Sequence, residues 1–198
     1  FPLGPIMSGL PLATSTWDEA EYSAIEEVTN KGHFSMGKKV KSFEEKFAKK
    51  FNSRYSVMVN SGSSANLLAV AALFYRKENP LKRGDEVIVP AVSWSTTYFP
   101  LQQYGLHVKF VDIDEKTMNI DLEKLLEAIT EKTKLIFSVN LLGNSLNYPQ
   151  IMEILEERKI TLIEDNCESM GASLNGKYAG TWGAMGTFSS FFSHHIST

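Results

Sequence analysis

Four short polar segments carry most of the side chains in this sequence that could do chemistry. Each segment follows a run of apolar residues, and they lie at residues 60–64, 93–97, 140–144 and 165–168. Ligands of open parallel sheets bind beyond the carboxyl ends of the strands. If the apolar runs are parallel strands, the four segments meet at one edge of one sheet. This convergence is stronger evidence for a binding site than any single motif.

The segment Asn-Ser-Gly-Ser-Ser at 60–64 has the composition of an anion-binding turn. Gly62 lets the backbone approach a ligand, while Ser63 and Ser64 bring hydroxyls to the first turn of a helix, where exposed N–H groups attract phosphate. An ordinary helix N-cap with a glycine turn explains the same residues equally well. The absence of a following Gly-Lys-Ser/Thr excludes a Walker loop, and a dinucleotide fingerprint needs more glycines.

Trp94 and the pair Glu164-Asp165 follow or end apolar runs. An indole at a strand exit can stack on a flat heteroaromatic ring, or it can simply cover the sheet edge. A carboxylate at the end of a strand can cap the next turn. It can also form a salt bridge to a protonated pyridine nitrogen, which raises the pKa of that nitrogen and keeps the ring an electron sink.

Two adjacent histidines, His194 and His195, lie near the end of the chain. Neighbouring residues of an extended segment point to opposite sides, and no other pair of ligands stands at metal-binding spacing, so we expect no metal site here. One of the two can act as a general acid or base, because the pKa of imidazole lies near neutrality. The single cysteine, Cys167, excludes an internal disulfide and an all-cysteine metal site.

Regular alternation of helices and strands must position these segments. Helical patterns cover residues 18–30, 41–51, 63–79, 95–105, 121–130 and 148–159, with Asp121 as a cap. Apolar runs predict strands at 55–60, 86–90, 108–113, 134–140, 161–165 and from 186 onward, with a hairpin at Asn175-Gly176. Short apolar strands alternating with helices predict a parallel sheet covered on both faces.

Composition excludes several classes of protein. The 198 residues carry a net charge of -3 with 43% hydrophobic and 22% charged residues, which is ordinary for a globular domain and leaves no basic footprint for nucleic acid. No apolar run approaches the length of a membrane span, and no signal peptide is recognisable, so we expect a cytoplasmic protein without a membrane partner.

Taken together, four segments resemble the DegT/DnrJ/EryC1/StrS family of sugar aminotransferases and dehydratases. They are residues 32–70, 87–114, 162–183 and 188–198. The resemblance implies an α/β fold, namely the three-layer large domain of fold-type I pyridoxal-phosphate enzymes with its mostly parallel sheet. Residues 1–30 are then an N-terminal arm and first helix, and residues 31–198 an incomplete large domain. A smaller domain is expected beyond Thr198.

The resemblance also implies roles for individual residues. The family's phosphate loop corresponds to Gly62, Ser63 and Ser64, and a further phosphate-binding serine corresponds to Ser189. The aromatic residue that stacks on the cofactor ring corresponds to Trp94, and the partner of the pyridine nitrogen corresponds to Asp165. Glu168 corresponds to a group near the cofactor's 3-hydroxyl. Most family members have glutamine at the position of Glu168. The implied cofactors are pyridoxal 5'-phosphate and pyridoxamine 5'-phosphate.

The sequence departs from the aminotransferase pattern at His194, where those enzymes have the lysine that binds the cofactor covalently. An imidazole has no primary amine and cannot form a Schiff base, although it can still move protons. A His-His-Ile run here resembles the branch that removes the C3 hydroxyl from nucleotide-linked 4-keto-6-deoxy sugars. One dehydratase type in that branch carries an iron–sulfur cluster on several cysteines, which the single Cys167 argues against.

Three hypotheses about function follow. The first is a pyridoxamine-phosphate-dependent 3-dehydratase of a nucleotide-linked 4-keto-6-deoxyhexose, with His194 and Asp165 as catalytic residues. The second is a sugar-nucleotide aminotransferase. The third is a truncated domain that only binds cofactor, without catalysis. The implied partners are a nucleotide-linked keto sugar, glutamate as amino donor, and a second copy of the chain in a two-fold homodimer.

Overall fold

A five-stranded parallel sheet organises the chain in the computed structural model, which describes residues 15–191 and 194. The strands are β1 Glu86–Pro90, β2 His107–Val111, β3 Thr133–Val139, β4 Thr161–Asp165 and β7 Met185–Thr187, in the order β2-β1-β3-β4-β7. A two-stranded antiparallel hairpin is formed by β5 Ser173–Leu174 and β6 Lys177–Tyr178. The predicted parallel sheet and hairpin are confirmed.

Six helices are present in the described part of the chain. They are α1 Glu19–Lys31, α2 Lys38–Lys50, α3 Gly62–Tyr75, α4 Ser95–Gln103, α5 Leu122–Ala128 and α6 Pro149–Glu157. Asp18 and Glu21 form a capping box at the start of α1, and Asp121 caps α5 as predicted. No helix among the described residues is both long enough and apolar enough to cross a bilayer.

Helices cover both faces of the sheet, which gives the expected three layers. Side chains alternate between the two faces of a strand, so Val87 and Ile88 belong to different cores. One core packs Ile88, Ile136 and Leu162 against α5 and α6 through Leu125, Ile151 and Leu155. The other packs Val87, Phe137 and Ile163 against α3 and α4 through Val70, Leu73 and Leu101.

The strand predicted at residues 55–60 is wrong, because the segment has no strand assignment. Tyr55 and Val57 are 79% and 66% exposed, and no strand in the described part of the chain pairs with this segment. Alternating apolar residues favour extended backbone, but a strand needs a ladder partner to satisfy its N–H and C=O groups. The predicted helix before Pro80 also ends early, at Tyr75.

Glu164 holds the hairpin region against the sheet. Its fully buried carboxylate accepts hydrogen bonds from the backbone N–H groups of Gly180 at 2.6 Å and Gly183 at 2.7 Å, and from that of Trp182. Burial raises the pKa of Glu164 above its ordinary value, and the three N–H donors oppose that shift. Glu164 therefore caps the turn at residues 180–183.

The substitution Glu164→Gln should lower the free energy of unfolding by about 1–3 kcal/mol. In the wild-type protein every backbone N–H group around this side chain meets a carboxylate oxygen, whereas in the variant the NH₂ group of the amide would face one of these donors. Chemical denaturation measures this loss. Glu153→Gln makes the same change at an exposed position of α6 and serves as the control. Equal denaturation midpoints for the two variants would contradict the anchoring role of Glu164.

Candidate functional site

Asp165 is the most constrained polar residue at the carboxyl edge of the sheet. It ends β4 and is only 6% exposed. Its Oδ2 accepts from Asn66 Nδ2 and from Thr97 Oγ1, each at 2.8 Å, and its Oδ1 accepts from the Cys167 N–H at 3.2 Å. A buried carboxylate is tolerated only when it is hydrogen-bonded in this way. The bonds fix the direction in which this carboxylate points.

Asn66 and Thr97 are the two side chains bonded to Asp165, and the sequence interpretation named neither of them. Asn66 lies in α3, and its Oδ1 accepts from Thr187 Oγ1 at 2.6 Å, so it joins β4 to β7. Thr97 is buried in α4 and also bonds the Ser93 hydroxyl at 2.9 Å. The available signals were an amide in an otherwise apolar helix and the position of Thr97 within the polar segment 93–97.

The start of α3 has the structure of a capped helix. Ser61 is the N-cap, and its Oγ accepts from the Ser64 N–H at 3.1 Å. Gly62 is buried, whereas Ser63 is exposed and Ser64 partly buried. The N-cap explanation is therefore correct for Ser61. It leaves the anion-binding interpretation open, since the same turn still presents its N–H groups and the Ser63 hydroxyl at the helix terminus.

Gly62 brings the turn against Ser189 and Cys167. A Cβ atom added at Gly62 would lie 2.8 Å from Cys167 Sγ and 3.0 Å from Ser189 Cβ. The polar segments 60–64 and 165–168 therefore meet at this point, together with Ser189 of the family-like segment 188–198. Burial first, and then the charge of Asp165, raise the pKa of the Cys167 thiol far above its ordinary value. The thiol stays neutral and serves packing rather than nucleophilic chemistry.

The polar segment 140–144 joins the same edge through Ser169. The Ser169 hydroxyl donates to the Asn140 carbonyl at 2.6 Å and accepts from the Gly143 N–H at 2.8 Å. The Asn140 side-chain carbonyl accepts from the Tyr148 hydroxyl at 2.9 Å. This segment therefore supports the turn after β4. The convergence of all four polar segments that the sequence predicts is present in the structure.

Trp94 and Glu168 belong to two of the polar segments that meet at this edge. Trp94 precedes α4 and is 72% exposed, so its indole does not cover the sheet edge, and the stacking interpretation remains a prediction. Glu168 is partly buried in the turn after β4.

His194 lies beyond β7 with its side chain partly buried. The backbone N–H of His194 donates to the backbone carbonyl of Phe191 at 2.8 Å. The imidazole and the Phe191 ring meet edge to face, with their centroids 5.7 Å apart. These contacts place His194 beside Phe191. His195 and the opening residues 1–14 lie outside the described residues.

The fold agrees with the comparisons to known proteins. A family profile described as the DegT/DnrJ/EryC1/StrS aminotransferase family matches residues 15–198. The chain belongs to this family, as the sequence resemblance indicated.

Several relatives share high sequence identity with the chain. A GDP-4-keto-6-deoxy-D-mannose 3-dehydratase of Yersinia pseudotuberculosis is 66% identical over 193 residues, covering 98% of this chain and 49% of the relative. The corresponding protein of Escherichia coli O55:H7 (strain CB9615 / EPEC) is 63% identical, covering 97% of this chain and 50% of the relative. The chain therefore spans about half the length of the relatives it matches.

One solved structure ties this likeness to a cofactor. It is described as an E. coli GDP-4-keto-6-deoxy-D-mannose-3-dehydratase with bound hydrated PLP, and it matches with a TM-score of 0.93 at 63% identity. The match covers 96% of this chain and 49% of that chain. The α/β fold inferred from the sequence is thus confirmed by a close structural relative.

The substitution Gly62→Ala should destabilise the protein by about 1–2 kcal/mol, because overpacking against Cys167 and Ser189 outweighs the gain in helix propensity of up to about 1 kcal/mol. Thermal unfolding measures the effect. Ser63→Ala alters the exposed neighbour in the same turn and should leave stability nearly unchanged. A Gly62→Ala variant that is more stable than wild type would show that the contact is not tight.

Proposed function

We propose that this chain is the cofactor-binding part of a pyridoxamine-phosphate-dependent enzyme. The enzyme removes the C3 hydroxyl of a GDP-linked 4-keto-6-deoxyhexose. The observation that carries the proposal is His194, an imidazole at the position where the family resemblance implies a lysine in aminotransferases. The 66% identity to a GDP-4-keto-6-deoxy-D-mannose 3-dehydratase supports the same substrate class. Residues 31–198 form the cofactor-binding part in this proposal.

The residues at the sheet edge fit such a cofactor. Gly62 lies so close to Cys167 and Ser189 that a side chain there would fill the space beside the helix start. The turn offers N–H groups and hydroxyls for a phosphate. The Asp165 carboxylate lies on β4 and is held by three donors. An anion-binding turn and a fixed carboxylate at one sheet edge suit the two ends of a phosphorylated pyridine.

When bound, the cofactor would supply an amine that reacts with ketones and a ring that takes up electrons. Asp165 would keep a proton on the ring nitrogen, and Trp94 would stack on the ring face. Ser63, Ser64 and Ser189 would bind the phosphate, and Glu168 would lie near the 3-hydroxyl.

His194 moves a proton at the carbon that carries the cofactor's amine, since imidazole is effective near neutral pH. Together with Asp165 it makes up the catalytic pair of the proposal.

The alternative, a sugar-nucleotide aminotransferase, is disfavoured by the chemistry of residue 194. A transaminase of this family holds its cofactor through a lysine amine, and imidazole offers none. Glutamate remains the proposed amino donor, because the reaction consumes the amine of the cofactor. A cytoplasmic location accords with a biosynthetic enzyme that uses a nucleotide sugar.

The proposal is tested by incubating the purified protein with pyridoxamine phosphate, glutamate and GDP-4-keto-6-deoxy-D-mannose. Mass spectrometry should detect a sugar that lacks the C3 oxygen. His194→Lys should slow this reaction by about 10²–10⁴-fold, because the imidazole is lost and the new amine competes with the substrate for the cofactor. The new amine should also let borohydride fix pyridoxal phosphate to residue 194, whereas wild type should not be labelled there.

The control for this experiment is His107→Lys, which places a lysine at an exposed position at the start of β2. It should neither slow the reaction nor acquire the cofactor at residue 107. Reductive labelling of the wild-type protein at one of its own lysines, together with transfer of an amino group to the sugar, would establish the aminotransferase alternative instead.

We also propose that the full protein is a homodimer and that α3 contributes to the interface. Leu67, Leu68 and Tyr75 of this apolar helix are 39%, 44% and 82% exposed. Exposed apolar patches of this kind mark interaction surfaces, and two-fold dimers are the commonest assembly.

Light scattering should show a dimer for the wild-type protein and a monomer for Leu68→Glu, because a buried charge at the interface is costly. Leu126→Glu makes the matched change at a leucine of α5 that is 40% exposed, and it should remain dimeric. A monomeric wild-type protein, or equal behaviour of the two variants, would contradict the proposed interface.

A further inference from the structure

Asn66 connects three of the elements around the candidate site. Its side chain is 1% exposed, and its Nδ2 donates to Asp165 Oδ2 at 2.8 Å and to the Thr96 carbonyl at 3.3 Å. Its Oδ1 accepts from Thr187 Oγ1 at 2.6 Å. One amide in α3 therefore joins α4, the end of β4 and the end of β7. A buried amide in an apolar helix is costly unless its groups are all paired, as they are here.

The three bonds define the orientation of the Asn66 amide. An ionised carboxylate only accepts hydrogen bonds, so the amide nitrogen must face Asp165. The Thr187 hydroxyl then donates to the amide oxygen on the other side. Exchanging the amide's nitrogen and oxygen would set the oxygen against the Asp165 carboxylate and leave the nitrogen without that acceptor. The network is thus consistent in only one direction, from Thr187 through Asn66 to Asp165.

The position of Asn66 along α3 couples this network to the anion-binding turn. Helix α3 begins at Gly62, so Asn66 lies four residues, or about 6 Å of helix rise, from that end. A rigid ligand that touches both the helix start and the carboxylate needs a fixed separation between them. A direct hydrogen bond from the same helix to the carboxylate holds that separation more firmly than packing alone.

We propose that Asn66 is a positioning residue that sets the Asp165 carboxylate at a fixed distance from the phosphate-binding start of α3. It thereby selects ligands that carry both a phosphate and a protonated ring nitrogen. This inference rests on the proposed function, because the ligand is its cofactor. Thr97 assists by donating to the same oxygen, Asp165 Oδ2, from the neighbouring helix α4.

The test compares the binding of two probes, pyridoxamine phosphate and its analogue with carbon in place of the ring nitrogen. Wild type should prefer the nitrogen-containing probe. In Asn66→Leu, which matches the size of the amide without its hydrogen bonds, that preference should fall by about tenfold or more. Equilibrium dialysis measures both dissociation constants without relying on turnover. Affinity for the carbon analogue should change much less.

Two further variants separate positioning from a general loss of structure. Thr97→Val removes the second donor to Asp165 Oδ2 and should reduce the preference in the same direction, even if Asn66→Leu fails to fold. Ser138→Ala removes a buried hydrogen bond to Tyr148 elsewhere in the core and should leave the preference unchanged.

Three results would overturn the inference. An equal loss of affinity for both probes in Asn66→Leu would mean that Asn66 only supports the fold. An unchanged preference in both Asn66→Leu and Thr97→Val would mean that neither donor positions Asp165. Failure of wild type to bind pyridoxamine phosphate would overturn the proposed function as well, and so differs from the first two results.

Discussion

The burial of one carboxylate, that of Asp165, is the constraint on which the rest of the site depends. A charged group at the end of a buried strand is stable only where donors surround it. Those donors come from α3, α4 and the turn after β4, through Asn66, Thr97 and Cys167. The two helices on one face of the sheet are thus joined to β4 by the group that the proposed chemistry requires.

The local elements could be predicted because their signals lie within a few residues. The helical pattern at residues 41–51 predicted α2, and Asp121 predicted the start of α5. The segment 55–60 shows the opposite case, since its alternation is favourable for a strand but pairing depends on a neighbour distant in the chain. A strand forms only when two segments pair, and the residue pattern of one segment does not show whether a partner is available.

The same distinction explains which site residues the sequence revealed. Asp165 and Gly62 stand in recognisable local contexts at the ends of strand and loop segments. Asn66 and Thr97 acquire their meaning only from Asp165, which lies 99 and 68 residues away along the chain. No spacing rule links residues so far apart. The resemblance to a family identified the carboxylate, and only the folded structure identified what holds it.

The two carboxylates at the end of β4 are consecutive and serve opposite faces of the sheet. Glu164 accepts from the backbone of residues 180–183, while Asp165 faces α3 and α4. Inserting or deleting a single residue within β4 would exchange their directions. The Asp165 carboxylate would then point toward the loop at residues 180–183. Strand β4 should therefore tolerate no change of length. The hairpin turn at Asn175-Gly176, by contrast, is free to vary in length over evolution or in engineering.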